Sequence, residues 1–109
     1  MKILVIAEHD NKKIKPSTLS TISAGLKINE NIEMLIFSDG SQDIVSDAQK
    51  ISGLKKVTLI KHEIFKSQIA EDITKALTGF LESGEYTHIL APSTTFGKNL
   101  LPRIAAHLD

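Results

Sequence analysis

Three polar residues after the first apolar run are the first candidates for chemistry. Glu8, His9 and Asp10 directly follow the run Ile3 to Ala7. A His side chain exchanges protons near neutral pH, and carboxylates orient it or bind a metal ion, so a metal-dependent hydrolase is one hypothesis. Adjacent side chains at a strand end point in different directions, however. This favours a structural interpretation, in which His9 caps a neighbouring backbone group.

A glycine–lysine pair near the end of the chain is the second candidate. Gly97-Lys98-Asn99 resembles the end of a phosphate loop, where backbone N–H groups at a helix N-terminus and a Lys charge bind phosphate. The full pattern is missing, because Pro92 stands where its first glycine belongs and Asn99 replaces the hydroxyl that binds magnesium. No G-x-G-x-x-G pattern occurs either. We therefore predict neither a catalytic residue nor a metal site.

The composition limits the classes of protein that the chain can form. It has 109 residues, 13 basic and 13 acidic side chains, and 41% apolar residues. One compact domain fits this length, and zero net charge argues against binding nucleic acid or an anionic membrane surface. The absence of Cys excludes disulfides and thiolate metal sites. No apolar run approaches the roughly 20 residues that span a bilayer, so we expect no membrane insertion, and we also expect no signal or transit peptide.

Four short apolar runs, rich in Val, Ile and Leu, predict β-strands. The first is apolar at every position, which is typical of a strand buried on both faces of a parallel sheet. His88 belongs to the fourth run, and we expect it to be a satisfied core or cleft residue. The runs are Ile3 to Ala7, Ile32 to Phe37, Val57 to Ile60 and His88 to Ala91, and the strands are predicted near 2–8, 31–37, 56–61 and 86–91.

Segments with apolar residues three and four positions apart predict helices between and after these runs. Pro16 fits the first turn of the first helix, Ser41 and Ser67 are natural N-caps, and Gly53 is a natural residue after a helix end. Pro102 limits where the fourth helix can begin its regular hydrogen bonding. The segments, with their apolar stripes, are Pro16 to Lys27 (Leu19, Ile22, Leu26), Gln42 to Ser52 (Ile44, Ala48, Ile51), Gln68 to Ser83 (Ile69, Ile73, Ala76, Leu77, Phe80, Leu81) and Lys98 to His107 (Leu101, Ile104, Ala105, Leu108).

The alternation of strands and helices predicts the architecture. It indicates an α/β three-layer sandwich, Rossmann-like, with a parallel sheet, right-handed crossovers and helices on both faces. We predict the strand order 3-2-1-4. Ligands of such sheets bind where the order reverses, so Glu8, His9 and Ser93 to Thr95 would line the crevice. Doubly wound sheets usually have about five or six strands. We therefore expect this chain to be a piece of a longer one, truncated before the fifth strand.

The stretch from Tyr86 to Ala106 resembles the alpha subunit of electron transfer flavoprotein. Its core, Phe96 to Ala106, reads Phe-Gly-Lys-Asn-x-Leu-Pro-Arg-x-Ala-Ala, which is long and specific. The start of the chain agrees, with Leu-Val-Ile-Ala-Glu-His at Leu4 to His9 followed by Pro16-x-Thr-Leu. The approach to the third strand, Ile-x-Gly-x-x-Lys-Val from residue 51 to residue 57, also matches. The resemblance covers essentially the whole chain.

This resemblance implies a part in electron transport. Alpha subunits of the family have an N-terminal domain with the fold of the adenine nucleotide alpha hydrolases and a C-terminal domain that carries most of the FAD site. Residues 1–109 would be the first domain, without the C-terminal FAD-binding domain and without FAD on this fragment. In the full heterodimer with the beta subunit, which binds AMP, FAD would carry electrons from acyl-CoA and related dehydrogenases, as in fatty acid beta-oxidation, to a quinone oxidoreductase. The chain would be an electron carrier subunit and not an enzyme.

The family motif also suggests candidate site residues. In the family that the chain resembles, this motif begins the helix after the fourth strand. The resemblance implies that it supports the subunit interface and the geometry around the flavin. The competing interpretation is a fold signature, in which Gly97 has a positive φ or a close backbone neighbour, Asn99 caps the helix, and Leu101 and Ile104 pack it. The interface or structural candidates are Glu8, His9, Phe96, Gly97, Lys98, Asn99, Pro102 and Arg103.

A small nucleotide-binding module of the universal stress protein type is the alternative. It needs a glycine-rich phosphate loop after the fourth strand, and the stretch Pro92 to Gly97 has one Gly. The Lys- and Ile-rich composition favours a bacterial cytoplasm, or the mitochondrial matrix if the source is eukaryotic. For the isolated fragment we expect self-association through the edge of the fourth strand or through the last helix.

Overall fold

A computed structural model describes residues 1–82 and 84–108 of the chain. Four parallel strands form one sheet in the order β3-β2-β1-β4, so the predicted fold class and strand order are confirmed. The elements are β1 (Ile3–Ile6), α1 (Pro16–Leu26), β2 (Ile32–Ser38), α2 (Gln42–Gln49), β3 (Lys56–Lys61), a short 3-10 helix (Glu63–Ser67), α3 (Ala70–Glu82), β4 (His88–Leu90) and α4 (Thr95–Leu108). Ser83, where the third helix was predicted to end, lies outside the described residues, as does the side chain of Leu108.

The sheet separates two apolar cores. Ile3 and Val5 face the core that contains Ile22 of α1 and Ile44 of α2. Leu4 and Ile6 face the other core, whose helical members are Ile73, Leu77, Leu100 and Ile104. Because successive side chains of a strand point to opposite faces, covering both faces requires an apolar residue at every position of β1. This is the physical reason why the first run has no polar residue.

The third helix begins later than predicted because Gln68 interrupts it. Gln68 has a φ of 50°, in the left-handed region, and separates the 3-10 helix from α3. Ser67 therefore ends the 3-10 helix and does not cap α3. Ile69, which was predicted to belong to the apolar stripe, precedes α3 and is 51% exposed.

The second helix also differs at its ends. It stops at Gln49, so Gly53, with a φ of 88°, belongs to the loop before β3 and not to the helix terminus. Ser41 occupies the N-cap position, but its side chain makes no capping hydrogen bond. Its hydroxyl instead donates to the carbonyl of Asn11, at 2.7 Å.

The first helix buries only one residue of its predicted apolar stripe, Ile22. Its buried residues are Thr18, Ile22 and Gly25, whereas Leu19 and Leu26 are 43% and 38% exposed. Gly25 is buried because α1 lies close to the sheet there: a Cβ at Gly25 would come within 2.8 Å of an Ile32 methyl group. The absence of a side chain, and not apolar spacing, decides how α1 sits.

The fourth helix starts three residues before the predicted Lys98 and contains Pro102 in its interior. A proline has no N–H, so the carbonyl of Lys98 lacks its usual helical donor, yet the helix continues on both sides. The buried residues described in α4 are Gly97, Leu100 and Ile104, while Ala105 of the predicted stripe is exposed.

A buried carboxylate lies at the amino end of the sheet. Glu33 is 8% exposed in β2 and accepts a hydrogen bond from the Tyr86 hydroxyl at 2.6 Å. Lys2 Nζ lies 3.5 Å from Glu33 and 4.6 Å from the Tyr86 ring centroid. Partial burial, which is the larger cause, and the hydrogen bond to Glu33, which is the second, together raise the pKa of Tyr86 to about 12. The three side chains tie the segment before β4 to β1 and β2.

The prediction for His88 is wrong. It is exposed on β4, and its Nδ1 lies 2.9 Å from the hydroxyl of Thr87. Within the described residues β4 pairs only with β1, so the strand lies at an edge of the sheet, where a polar side chain stays in contact with solvent.

Candidate functional site

Glu8 lies where the carboxyl ends of β1 and β4 meet, at the point where the strand order reverses. Its Oε1 accepts hydrogen bonds from the hydroxyls of Ser17, at 3.0 Å, and Thr94, at 2.9 Å. Lys15 Nζ lies 3.7 Å from Oε2. The structure thus brings Glu8 and Thr94 together at the predicted crevice. Sequence reasoning missed Ser17 and Lys15 as partners of Glu8.

The backbone N–H and carbonyl of Glu8 also make hydrogen bonds. Its N–H donates to the hydroxyl of Thr18 at 2.8 Å, and that hydroxyl donates to the Glu8 carbonyl at 3.1 Å. The Lys15 N–H donates to the same carbonyl at 2.9 Å. Thr18 is fully buried, so these bonds are shielded from water. The start of α1 is thereby fastened to the end of β1.

The Glu8 carboxylate supplies negative charge to the N-termini of two helices. Neither α1 nor α4 has an acidic residue in its first turn, and Lys15 at the N-cap of α1 makes no side-chain cap. The carboxylate contacts Ser17 in the first turn of α1 and Thr94 immediately before α4. Because helix N-termini carry partial positive charge, an anion at this position stabilises both helices. Glu8, which the sequence suggested as a candidate for acid–base chemistry or metal binding, therefore has a structural role.

His9 lines a cleft at the end of β1 together with Glu8, yet it is only 4% exposed. Its Nδ1 accepts a hydrogen bond from the N–H of Asn11 at 3.0 Å, and its Nε2 lies 2.7 Å from the carbonyl of Phe37. The proton of the neutral ring must therefore be on Nε2, which donates to Phe37. Burial lowers the pKa of His9 below its ordinary value of 6.5. His9 caps backbone groups, as the structural interpretation predicts.

The Asp10 side chain stabilises a turn and shares no hydrogen-bond partner with Glu8 or His9. Its Oδ1 accepts the N–H groups of Lys12, at 2.9 Å, and Lys13, at 2.8 Å, and these bonds lower the pKa of Asp10. Glu8, His9 and Asp10 thus bind three separate sets of partners. No group of three or more His, Asp or Glu side chains in residues 1–82 and 84–108 is arranged to hold a metal ion.

The resemblance of Gly97-Lys98-Asn99 to a phosphate loop has another physical basis. Gly97 lies in the first turn of α4, where a Cβ would come 1.8 Å from the Pro92 carbonyl oxygen. The glycine is required for this close approach, and not for a positive φ. Asn99 does not cap α4: it is exposed and its Oδ1 accepts a hydrogen bond from Arg103 Nε at 3.2 Å. Lys98 is exposed as well.

Most polar side chains of the Phe96 to Ala106 motif point to solvent. The partly buried Phe96 packs against the core beneath α3 and α4. By contrast, one face of α4 exposes four of the candidate site residues, and this exposed α4 face consists of Lys98, Asn99, Pro102 and Arg103. Core packing in the described residues therefore accounts for Phe96 and Gly97 but not for these four.

A cleft of about 270 Å³ opens between the β1 loop, the start of α3 and the start of α4. Glu8, Lys15, Gln68, Phe96 and Asn99 are among the residues that line it. The diphosphate of a flavin or adenine dinucleotide would meet the Glu8 carboxylate, which already uses the nearby hydroxyl donors. The residues of this cleft do not fit such a group.

Fold and site together define a doubly wound parallel α/β domain of the Rossmann-like class, in which Thr94 donates a hydrogen bond to Glu8 across the switch point. The family model described as "Electron transfer flavoprotein domain" matches residues 3–109. The chain belongs to the electron transfer flavoprotein family, and the resemblance seen in the sequence is confirmed. No helix in the described part of the chain is long and apolar enough to cross a membrane.

The chain is similar to alpha subunits from distant organisms. It is 38% identical to the "Electron transfer flavoprotein subunit alpha" of Pseudomonas aeruginosa, over 100% of this chain and 35% of that protein. It is also 38% identical to proteins named "Electron transfer flavoprotein subunit alpha, mitochondrial" in Dictyostelium discoideum and Arabidopsis thaliana, over 97% of this chain and 32% and 31% of theirs. The chain thus spans about a third of the length of the curated relatives it matches.

Proposed function

We propose that residues 1–109 are the N-terminal domain of an electron transfer flavoprotein alpha subunit and serve as a scaffold and a subunit interface. The partner is the beta subunit, and FAD belongs to the full heterodimer, bound by segments outside this chain. The assembly carries electrons from acyl-CoA and related dehydrogenases to a quinone oxidoreductase, in a bacterial cytoplasm or a mitochondrial matrix. The family match over residues 3–109 is the observation that carries this proposal.

The residues of this chain position other groups and perform no reaction step. In a flavoprotein the flavin supplies the redox chemistry. The side chains that resembled catalytic equipment, Glu8 and His9, are both committed to backbone groups and helix N-termini. These contacts support a role for the domain as a rigid support.

The exposed α4 face is the proposed contact with the beta subunit. Its residues belong to the motif that resembles the family, and core packing does not explain them. Arg103 donates to Asn99 one turn earlier, which holds the guanidinium along the helix surface. An ordered Arg beside Pro102 presents charge and apolar surface together, a combination that protein interfaces favour.

Binding of the purified chain to the beta subunit of the same organism tests the proposal. Isothermal titration calorimetry should show a one-to-one complex, and Arg103→Glu should weaken it by on the order of tenfold, about 1.4 kcal/mol. Lys55→Glu is the matched control, because Lys55 is an exposed cation in the loop before β3, far along the chain from α4. It should bind like the parent.

Two results would contradict the proposed role of the domain, and a third would contradict the proposed placement of FAD. One is the absence of any complex with the beta subunit while the chain is shown to be folded by circular dichroism. The other is stoichiometric binding of AMP or ATP to the isolated chain, which would favour the nucleotide-binding module of the universal stress protein type. Flavin absorbance on the purified 109-residue chain would overturn the placement of FAD outside it.

A further inference from the structure

We propose that His9 is a pH-sensitive latch for the turn formed by residues 10–13, closed when the imidazole is neutral and released when its second nitrogen takes up a proton. The latch is the hydrogen bond from the Asn11 N–H to His9 Nδ1, 3.0 Å long. On the other side of the ring, Nε2 donates to the carbonyl of Phe37 at 2.7 Å. Both ring nitrogens are therefore engaged, and only Nδ1 has a lone pair that a proton can take.

Asn11 is the part of the turn that the latch holds. Its φ of 69° lies in the left-handed region, which Asn adopts more readily than most residues with a side chain. Its side-chain amide donates to the carbonyl of Lys66 at 3.0 Å, and its own carbonyl accepts the hydroxyl of Ser41 at 2.7 Å. One residue thus connects the turn to the 3-10 helix and to the N-terminus of α2.

Protonation acts on one side of the ring only. A proton on Nδ1 would face the Asn11 N–H, so two donors would oppose each other and the hydrogen bond would be lost. The Nε2–H continues to donate to Phe37, whose carbonyl also accepts the side-chain amide of Gln68 at 2.7 Å. The end of β2 therefore stays anchored while Asn11 is free to leave its left-handed conformation.

The charges around His9 and its burial set the pH at which the latch opens. Asp10 on its own loop and Asp39 on the loop after β2 favour the imidazolium, whereas Lys15 opposes it. Burial outweighs them and lowers the pKa below 6.5. The folded state therefore favours the neutral ring. The stability that this adds to the fold is fully present above 6.5, the pKa of His9 in the unfolded chain, and is lost as the pH falls through the lower pKa of His9 in the folded chain. The latch is closed at neutral pH.

Loss of the hydrogen bond between Asn11 and His9 would affect the crevice through Lys15, which contacts Glu8. The Lys15 N–H donates to the Glu8 carbonyl at 2.9 Å, and its Nζ lies 3.7 Å from the Glu8 carboxylate. A loosened turn weakens this hold on the start of α1. The sheet itself makes no contact that depends on Nδ1, so the acid form should keep its strands and lose order locally.

Nuclear magnetic resonance on the folded chain tests the latch. Ring nitrogen shifts at about pH 7.5 should show the neutral Nε2–H form of His9. As the pH falls below 6.5, the Asn11 amide should lose its hydrogen-bonded shift with the same midpoint as the His9 ring. Amide protection at Asn11, Lys12 and Lys13 should drop together, while protection in β1 and β2 persists.

Matched variants separate the latch from general acid sensitivity. His9→Gln retains an acceptor and a donor but cannot titrate, so protection in the turn should become independent of pH across this range. His88→Gln removes an exposed imidazole and should leave the transition unchanged. A neutral Nδ1–H ring, an Asn11 amide that does not follow His9, or the same transition in His9→Gln would overturn the proposal. Because the first two are measured on the parent chain, the test holds even if His9→Gln does not fold.

Discussion

At the scale of single residues, the chemistry of the site is defined by which partners each polar group already has. Glu8 binds two hydroxyls and faces one ammonium group, and its side chain is 12% exposed. A carboxylate in this position stabilises helix N-termini that lack acidic residues of their own. A residue type associated with acid–base catalysis is thus used here to join α1, β1 and α4.

We expect Glu8→Gln to lower the free energy of unfolding by about 1–2 kcal/mol, because the amide keeps the shape and one acceptor but removes the charge from two helix N-termini. Urea unfolding at neutral pH measures the change. Glu30→Gln is the matched control, since Glu30 is exposed before β2 and should unfold like the parent. Equal unfolding midpoints for the two variants would show that Glu8 has no special electrostatic role.

At the scale of elements, close backbone approach decides how the helices sit on the sheet. Gly97 permits the first turn of α4 to pack against the Pro92 carbonyl, and Gly25 permits α1 to approach Ile32. Gly79, in contrast, has no atom within 4 Å of the place where a Cβ would be, apart from its chain neighbours and the adjoining backbone of its own helix. The same residue type is therefore necessary at two helix positions and dispensable at a third.

We expect Gly97→Val to destabilise the domain by about 2–4 kcal/mol, because a Cβ cannot coexist with the Pro92 carbonyl unless α4 moves. Gly79→Ala, its matched control within a helix, should stabilise the domain by about 0.5–1 kcal/mol through helix propensity alone. Thermal unfolding followed by circular dichroism measures both. An unchanged transition for Gly97→Val would mean that the turn before α4 yields without cost.

At the scale of the whole molecule, the two outer strands of the described sheet differ in protection. The strand β3 begins and ends with exposed lysines, Lys56 and Lys61, which discourage pairing with another chain. The strand β4 has no lysine, and its outer edge has no partner in residues 1–82 and 84–108. The unprotected edge is therefore β4.

We expect the isolated 109-residue chain to self-associate through β4 or the adjoining α4, because the unpaired N–H and C=O groups of an edge strand are a template for pairing. Sedimentation at several concentrations should show a monomer–oligomer equilibrium. His88→Lys places a cation on β4 and should shift it toward the monomer. His62→Lys, beyond the other edge strand, should not. A parent chain that stays monomeric at high concentration would refute this prediction.

The amino-acid sequence by itself determined the sheet and much of its order of elements. Runs such as Ile3 to Ala7 are apolar at each position, which is typical of a strand covered on both faces. Pro16 at the first turn of α1 was equally legible, because proline restricts the backbone locally. The motif from Phe96 to Ala106 was sufficient to indicate the family, which the match over residues 3–109 confirms.

Only the tertiary structure decided which faces are buried and what the polar residues do. Thr18 and Gly25 are buried in α1 where Leu19 and Leu26 are not, because the distance between helix and sheet selects side chains by size. Glu8 and Thr94 meet although 86 positions separate them. Local propensities carry no information about such contacts, since the contacts exist only after the strands have paired and brought the ends of β1 and β4 together.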